Sequence, residues 1–94
     1  MTKAEIVNNI SEKIGVEKNT ALAVVEALML EVKDAVKHKN PVYLRGFGTF
    51  SAKKRKEKTG RNISKNTTII IPEHHVPSFK PSKSFKQEVK AKID

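Results

Sequence analysis

Six basic side chains crowd into ten residues, at Lys53, Lys54, Arg55, Lys56, Lys58 and Arg61, and no apolar side chain interrupts them. Ammonium and guanidinium groups at that density suit a row of phosphates and do not suit a buried core. The surrounding charge is uneven. Residues 1–47 carry seven basic and six acidic side chains, whereas residues 48–94 carry twelve and four. Most of the formal net charge of +9 therefore sits in one half of the chain, as a binding face would. A polyanionic partner is implied, nucleic acid first and an anionic membrane second.

Other chemistry is scarce. Glu73, His74 and His75 form the one cluster with acid–base or metal-ligating character. Adjacent histidines on a strand point to opposite faces and do not share an ion. His38 belongs to a separate, helix-terminal setting. Gly46 and Gly48 flank Phe47, but no Lys-Ser/Thr follows at phosphate-loop spacing. Isolated Ser and Asp residues do not make a triad. A binding protein rather than an enzyme is expected, without metal or cofactor.

Cysteine is absent, which removes disulfides, thiolate chemistry and cysteine zinc sites and fits a reducing cytosol. Glu5, Asn8 and Asn9 interrupt any apolar leader, and no run approaches the roughly 18 apolar residues of a membrane span. The expectation is a soluble, cytoplasmic protein with no membrane partner.

The elements that must position the basic run change character along the chain. Thr2-Lys3-Ala4-Glu5 has the form of a capping box, and Ile6, Val7, Ile10 and Ile14 follow at helical spacing before Gly15. A longer helix is predicted from Lys18 to about Lys39, with Ala21, Val25, Leu28, Val32 and Val36 in one stripe widened by Leu22 and Met29. Glu26, Glu31 and Asp34 on this helix would repel phosphates. The pair therefore reads as scaffold rather than as a helix-turn-helix reader.

Asn40-Pro41 ends the helix, and the pattern shifts to period two. Val42-Tyr43-Leu44 forms a short strand, Arg45-Gly46-Phe47-Gly48 a turn, and Thr49-Phe50-Ser51-Ala52 the opening of a second strand. After the basic run comes a turn at Ile63-Ser64-Lys65-Asn66, and then β-branched Thr67 to Ile71 ahead of Pro72. The ten residues from Lys53 to Asn62 reach about 33 Å at ~3.3 Å each. A body of this size has a radius of gyration of only about 13 Å. The hairpin is expected to project as an arm. Ser82 or Ser84 caps a final helix with Phe85, Val89 and Ile93 on its inner face.

Three segments in order resemble the HU and integration host factor family of nucleoid proteins: Gly46-Phe47-Gly48-Thr49-Phe50, Thr59-Gly60-Arg61-Asn62, and Val76-Pro77-Ser78-Phe79-Lys80-Pro81-Ser82-Lys83. The resemblance spans essentially the whole chain. It implies an α+β fold and an intertwined dimer, a homodimer or a mixed dimer with a paralogue. An N-terminal helical hairpin, a three-stranded antiparallel sheet extended into a long β-arm, and a short C-terminal helix make up each copy. One domain over 1–94 is expected, with 1–40 as helical dimerisation base, 41–81 as sheet and arm, and 82–94 as the last helix. Leu28, Val32, Leu44, Phe47, Phe50 and Phe79 are the expected dimer contacts, because the aromatic residues have no evident core of their own.

The implied activity is architectural: minor-groove binding of duplex DNA with little sequence choice, with bending and compaction in the nucleoid. On the arm, Arg55, Lys58, Arg61 and Asn62 are the best groove or phosphate contacts, with Lys53 and Lys65 nearby. Lys3, Lys80, Lys83 and Lys86 are placed on flanking phosphates, and Arg45 at the arm's base is a source of modest sequence bias. The family's proline after Arg-Asn is Ile63 here, an apolar wedge without proline's fixed φ. Its usual glycine is Ser82 here. A binder of RNA or single strands is the rival reading. It needs aromatic stacking platforms, and this chain has four Phe and one Tyr, at least two of them structural. A membrane-surface binder needs a basic amphipathic helix, whereas the basic run is strand-like.

Overall fold

In the computed structural model, which describes residues 1–62 and 67–93, two units are distinct: Met1–Asp34 and Ala35–Asp94.

The first unit holds α1 (Lys3–Ile14) and most of α2 (Lys18–Lys37). The Thr2 hydroxyl accepts the Glu5 amide at 3.3 Å, satisfying one of the open donors at the start of α1. Gly15 closes the helix in the left-handed region at φ 72° and donates its amide to the Ser11 carbonyl at 3.0 Å. Lys3 forms an ion pair with Glu26 of α2. Of the apolar residues, only Val7 and Ala21 are buried, at 6% and 3% exposure. Ile6, Leu22, Leu28 and Leu30 remain exposed.

The second unit begins with the end of α2, two residues earlier than its sequence suggests. Asn40 donates to the Ala35 carbonyl at 2.9 Å and Lys39 to the Val36 carbonyl at 3.0 Å. Lys39 has φ 59°, so a lysine occupies the left-handed position that glycine usually takes, and Pro41 prevents continuation.

Three strands follow as an antiparallel sheet in the order β1 (Val42–Leu44), β2 (Gly48–Arg55) and β5 (His74–Pro81). A second ladder joins β3 (Lys58–Asn62) to β4 (Thr67–Ile71). Helix α3 (Lys83–Ile93) completes the unit. Ser82 caps it, accepting the Phe85 amide at 3.1 Å.

The arm is not one continuous hairpin. Pairing stops at Lys56-Glu57 on the outgoing strand and at Pro72-Glu73 on the return. The register nevertheless runs through the gap, since Arg55↔His74 and Lys58↔Ile71 leave two residues on each side. Proline parity explains the interruption. Ser82 donates to the Phe47 carbonyl at 2.9 Å as the next step of the β2–β5 ladder, so even-numbered residues on β5 aim their amides at β2. Pro77 and Pro81 fall on odd positions, where the missing amide would face away. Pro72 falls on an even position and removes a donor the ladder needs. Lys54 and Glu73 span the gap with an ion pair of 2.8 Å.

Candidate nucleic-acid interface

Alternation along β2 sorts the basic run onto two faces. Phe50 and Phe79 are cross-strand partners on one face, as are Val42 with Phe50 and Leu44 with Gly48. Lys53, Arg55 and Lys80 lie on the other face with Tyr43, and all four are exposed. Lys54 belongs to the aromatic face and is held by Glu73. A strand therefore converts consecutive cations into a cationic face and a tethered remainder.

The aromatic face is built from all four phenylalanines. Phe50 and Phe79 have ring centroids 4.7 Å apart, and Phe47 lies 5.0 Å from Phe79 and 5.5 Å from Phe85. These are ordinary favourable separations for tilted and offset rings. The cluster is intramolecular, so Phe47, Phe50 and Phe79 do find partners within one chain, contrary to their isolation in the sequence. The helical spacing of α3 groups Phe85 with Val89 and Ile93 and not with these three. The short Pro81-Ser82 link, which starts α3 directly after β5, is the signal that brings it there. Burial stays incomplete: Phe47 is 45% and Phe79 38% exposed. Leu44 and Phe50 are half-buried, as is Val32 in the first unit, where Leu28 is 51% exposed.

The turn between β1 and β2 is fixed by two glycines. Phe47 donates to the Leu44 carbonyl at 2.9 Å, Gly46 takes φ 81°, and the Arg45 side chain is exposed. Lys83 and Lys86 open α3 one turn apart, both exposed, and share a helical face. Lys58 pairs with Ile71 at the root of the second ladder, and the backbones of Arg61 and Asn62 pair with Thr68 and Thr67. The side chains of Arg61 and Asn62 lie outside the described residues, as do Ile63 and Lys65. Lys3 is engaged by Glu26 in the other unit.

Among the described residues, no group of three or more His, Asp and Glu is arranged to hold a metal ion. His74 makes a 2.9 Å hydrogen bond with the Pro72 carbonyl through Nδ1, while the neighbouring His75 pairs with Lys54 in the ladder. Among the described residues, no helix is long and apolar enough to cross a membrane.

A family model described as bacterial DNA-binding protein matches residues 1–90. The chain is 39% identical over 90 residues to the DNA-binding protein HU of Thermus thermophilus, covering 96% of this chain and 93% of that protein. Against the integration host factor subunit alpha of Marinobacter nauticus it is 35% identical over 91 residues, covering 97% and 91%. A solved structure described as an Anabaena HU–DNA cocrystal matches with a TM-score of 0.91 at 38% identity, over 95% of this chain and 97% of that one. HU from Thermotoga maritima, at 22% identity and a TM-score of 0.69, shares the fold. The chain thus has the α+β fold of HU and belongs to the bacterial DNA-binding protein family, a family of DNA-binding proteins rather than of enzymes.

Proposed function

We propose that two copies of this chain grip duplex DNA through the minor groove with their β3–β4 arms, bending and compacting it in the nucleoid with little regard to sequence. The observation that carries this reading is the in-register ladder that leads from the cationic face of β2 into a separate two-stranded ribbon. Such a ribbon suits a groove, where readout separates little beyond A·T from G·C. Its kinship with the Anabaena HU–DNA cocrystal structure adds support. Lys53, Arg55, Lys58 and Lys80 meet phosphates beside the arm. Arg61, Asn62, Ile63 and Lys65 act at its tip. Lys3, Lys83 and Lys86 hold flanking DNA, and Arg45 adds a modest base preference.

Dimerisation follows from what each unit leaves uncovered. The first unit buries two apolar residues and exposes Leu22, Val24, Leu28 and Leu30, and among the described residues of the second no large apolar side chain is buried. Exposed apolar surface on that scale marks an interaction site. Leu28, Val32, Leu44, Phe47, Phe50 and Phe79 supply the contacts with a second copy.

The test is sedimentation equilibrium together with energy transfer across an end-labelled duplex of mixed sequence. A dimer mass and a shortened end-to-end distance on unrelated sequences are expected. A monomer, or a duplex that binds without bending, defeats the proposal.

A further inference from the structure

The arm is amphipathic by strand rather than by face. Of its two strands, β3 carries the charged residues Lys58 and Arg61, whereas β4 reads Thr67-Thr68-Ile69-Ile70-Ile71 and carries none. Ile69 and Ile71 share one face with Gly60 and Lys58, and Ile70 lies on the other face with Thr59. All three isoleucines are exposed, at 46%, 64% and 43%. Three neighbouring β-branched side chains on both faces of a ribbon cover no core of this chain.

Gly60 adds an independent clue. A glycine inside a strand weakens it, so something must require one. Conformation does not, because the positive-φ glycines are Gly15 and Gly46. Packing does not either: a methyl group on Gly60 would meet the Ile69 carbonyl and the Ile71 side chain at 3.8 Å, ordinary contact. A bare backbone at such a place suits the close approach of something outside the chain.

We infer that β4 and Gly60 select deoxyribose: the apolar strand lies against the sugars of the minor groove and rejects duplexes that carry 2′-hydroxyls there. The inference rests on the minor-groove reading above. A ribbon entering a groove shows one face to each wall, and the deoxyribose walls are largely C–H surface. Ile69 and Ile71 meet one wall and Ile70 the other, while β3 sits at the mouth with Lys58 toward the phosphates. A-form RNA offers a wide, shallow minor groove displaying 2′-hydroxyls. Isoleucines would strip water from those hydroxyls and return no hydrogen bond, and a buried donor left without a partner is costly. Discrimination by an unpaired polar group is stronger than discrimination by a missing methylene.

The experiment compares affinities for DNA, RNA and DNA–RNA hybrid duplexes of one sequence at a single salt concentration. The full chain is expected to bind the RNA duplex at least about tenfold more weakly than the DNA, with the hybrid between. In Ile69→Thr/Ile70→Thr/Ile71→Thr, hydroxyls replace methyl-bearing carbons at strand-favouring positions, and the DNA-to-RNA ratio should fall at least about threefold. Circular dichroism monitors folding. If the triple variant does not fold, Ile70→Thr, the most exposed of the three, carries the comparison. Gly60→Ala should weaken DNA binding without lowering the unfolding midpoint. Binding of RNA within tenfold of DNA, or a ratio unmoved by the threonines, overturns the inference while leaving DNA binding intact. Failure to bind the DNA duplex defeats the groove reading itself.

Discussion

The Phe79 ring lies so close over Gly48 that a methyl group built there would sit 2.6 Å from the ring and 2.5 Å from the Lys80 carbonyl oxygen. Gly48 is the buried residue at which β2 starts, and Phe79 is a hub of the aromatic cluster. Gly48→Ala therefore forces a backbone carbonyl and a packed ring to move at once. A loss of about 1–3 kcal/mol is expected, from overpacking. A domain of this size should melt roughly 4–8 °C lower per kcal/mol. An unchanged midpoint at fixed protein concentration would show that the ring yields freely.

Ser82 joins two elements through its backbone and its side chain. Its amide extends the β2–β5 ladder to Phe47, and its hydroxyl caps α3. Ser82→Ala keeps the first and loses the second, so about 1 kcal/mol of stability should go. Ser82→Gly should cost only a few tenths of that unit, because glycine is tolerated at a cap. The two variants, compared by urea denaturation, should fall in that order. The reverse order would mean that the hydroxyl contributes nothing at this terminus.

Affinity should depend steeply on salt. If roughly six to ten phosphates are neutralised per dimer, log K falls against log salt with a slope of about −5 to −9. Lys86→Ala removes one cation from each copy, so it should make the dimer's slope shallower by about two and weaken every duplex alike, whereas Arg61→Ala should cost more, from its place next to the tip. A slope near −2, equivalent to roughly two phosphates, would make the cationic face a bystander. A silent Arg61→Ala beside a severe Lys86→Ala would relocate the interface to the body.

Under the proposed groove reading Ile63 would act by shape, since its side chain carries no charge. Ile63→Ala should reduce the bend angle and weaken binding by about 1–2 kcal/mol with the salt slope unchanged. Ile63→Asp should abolish bending, because the groove repels a carboxylate. Energy transfer across a labelled duplex reads all three proteins, and equal bending by them would remove Ile63 from the mechanism.

Much of the fold was legible because its signals are local. The Thr2 cap, the Gly15 stop, the Pro41 break and the β-branched run at Thr67–Ile71 each report on a few neighbouring residues, and each element formed there except that α2 ends two residues before its sequence suggests. The pairing of Lys3 with Glu26 was hidden, since it joins residues 23 apart. The ladder's interruption was hidden for a subtler reason. Proline is harmless at Pro77 and disruptive at Pro72, and only the cross-strand register separates the two cases. Composition alone is enough to propose phosphate as the basic run's partner. The run's division between Arg55 on the open face and Lys54 beside Glu73 required knowing which way the strand faces.

The gap opposite Pro72 has a calorimetric consequence. A two-stranded ribbon is marginal in water by itself, and the missing rungs deprive β3–β4 of cooperative support from the ladder beneath. Backbone amides of the ribbon should therefore exchange with solvent hydrogen long before those of β2 and β5. If DNA fixes the ribbon, as proposed, that local order is completed as part of association. The binding enthalpy should then fall more steeply with temperature than the buried apolar surface of a rigid ribbon would require. Replacing Pro72 with a residue that has an amide should flatten that dependence, by moving part of the ordering from the complex into the free protein.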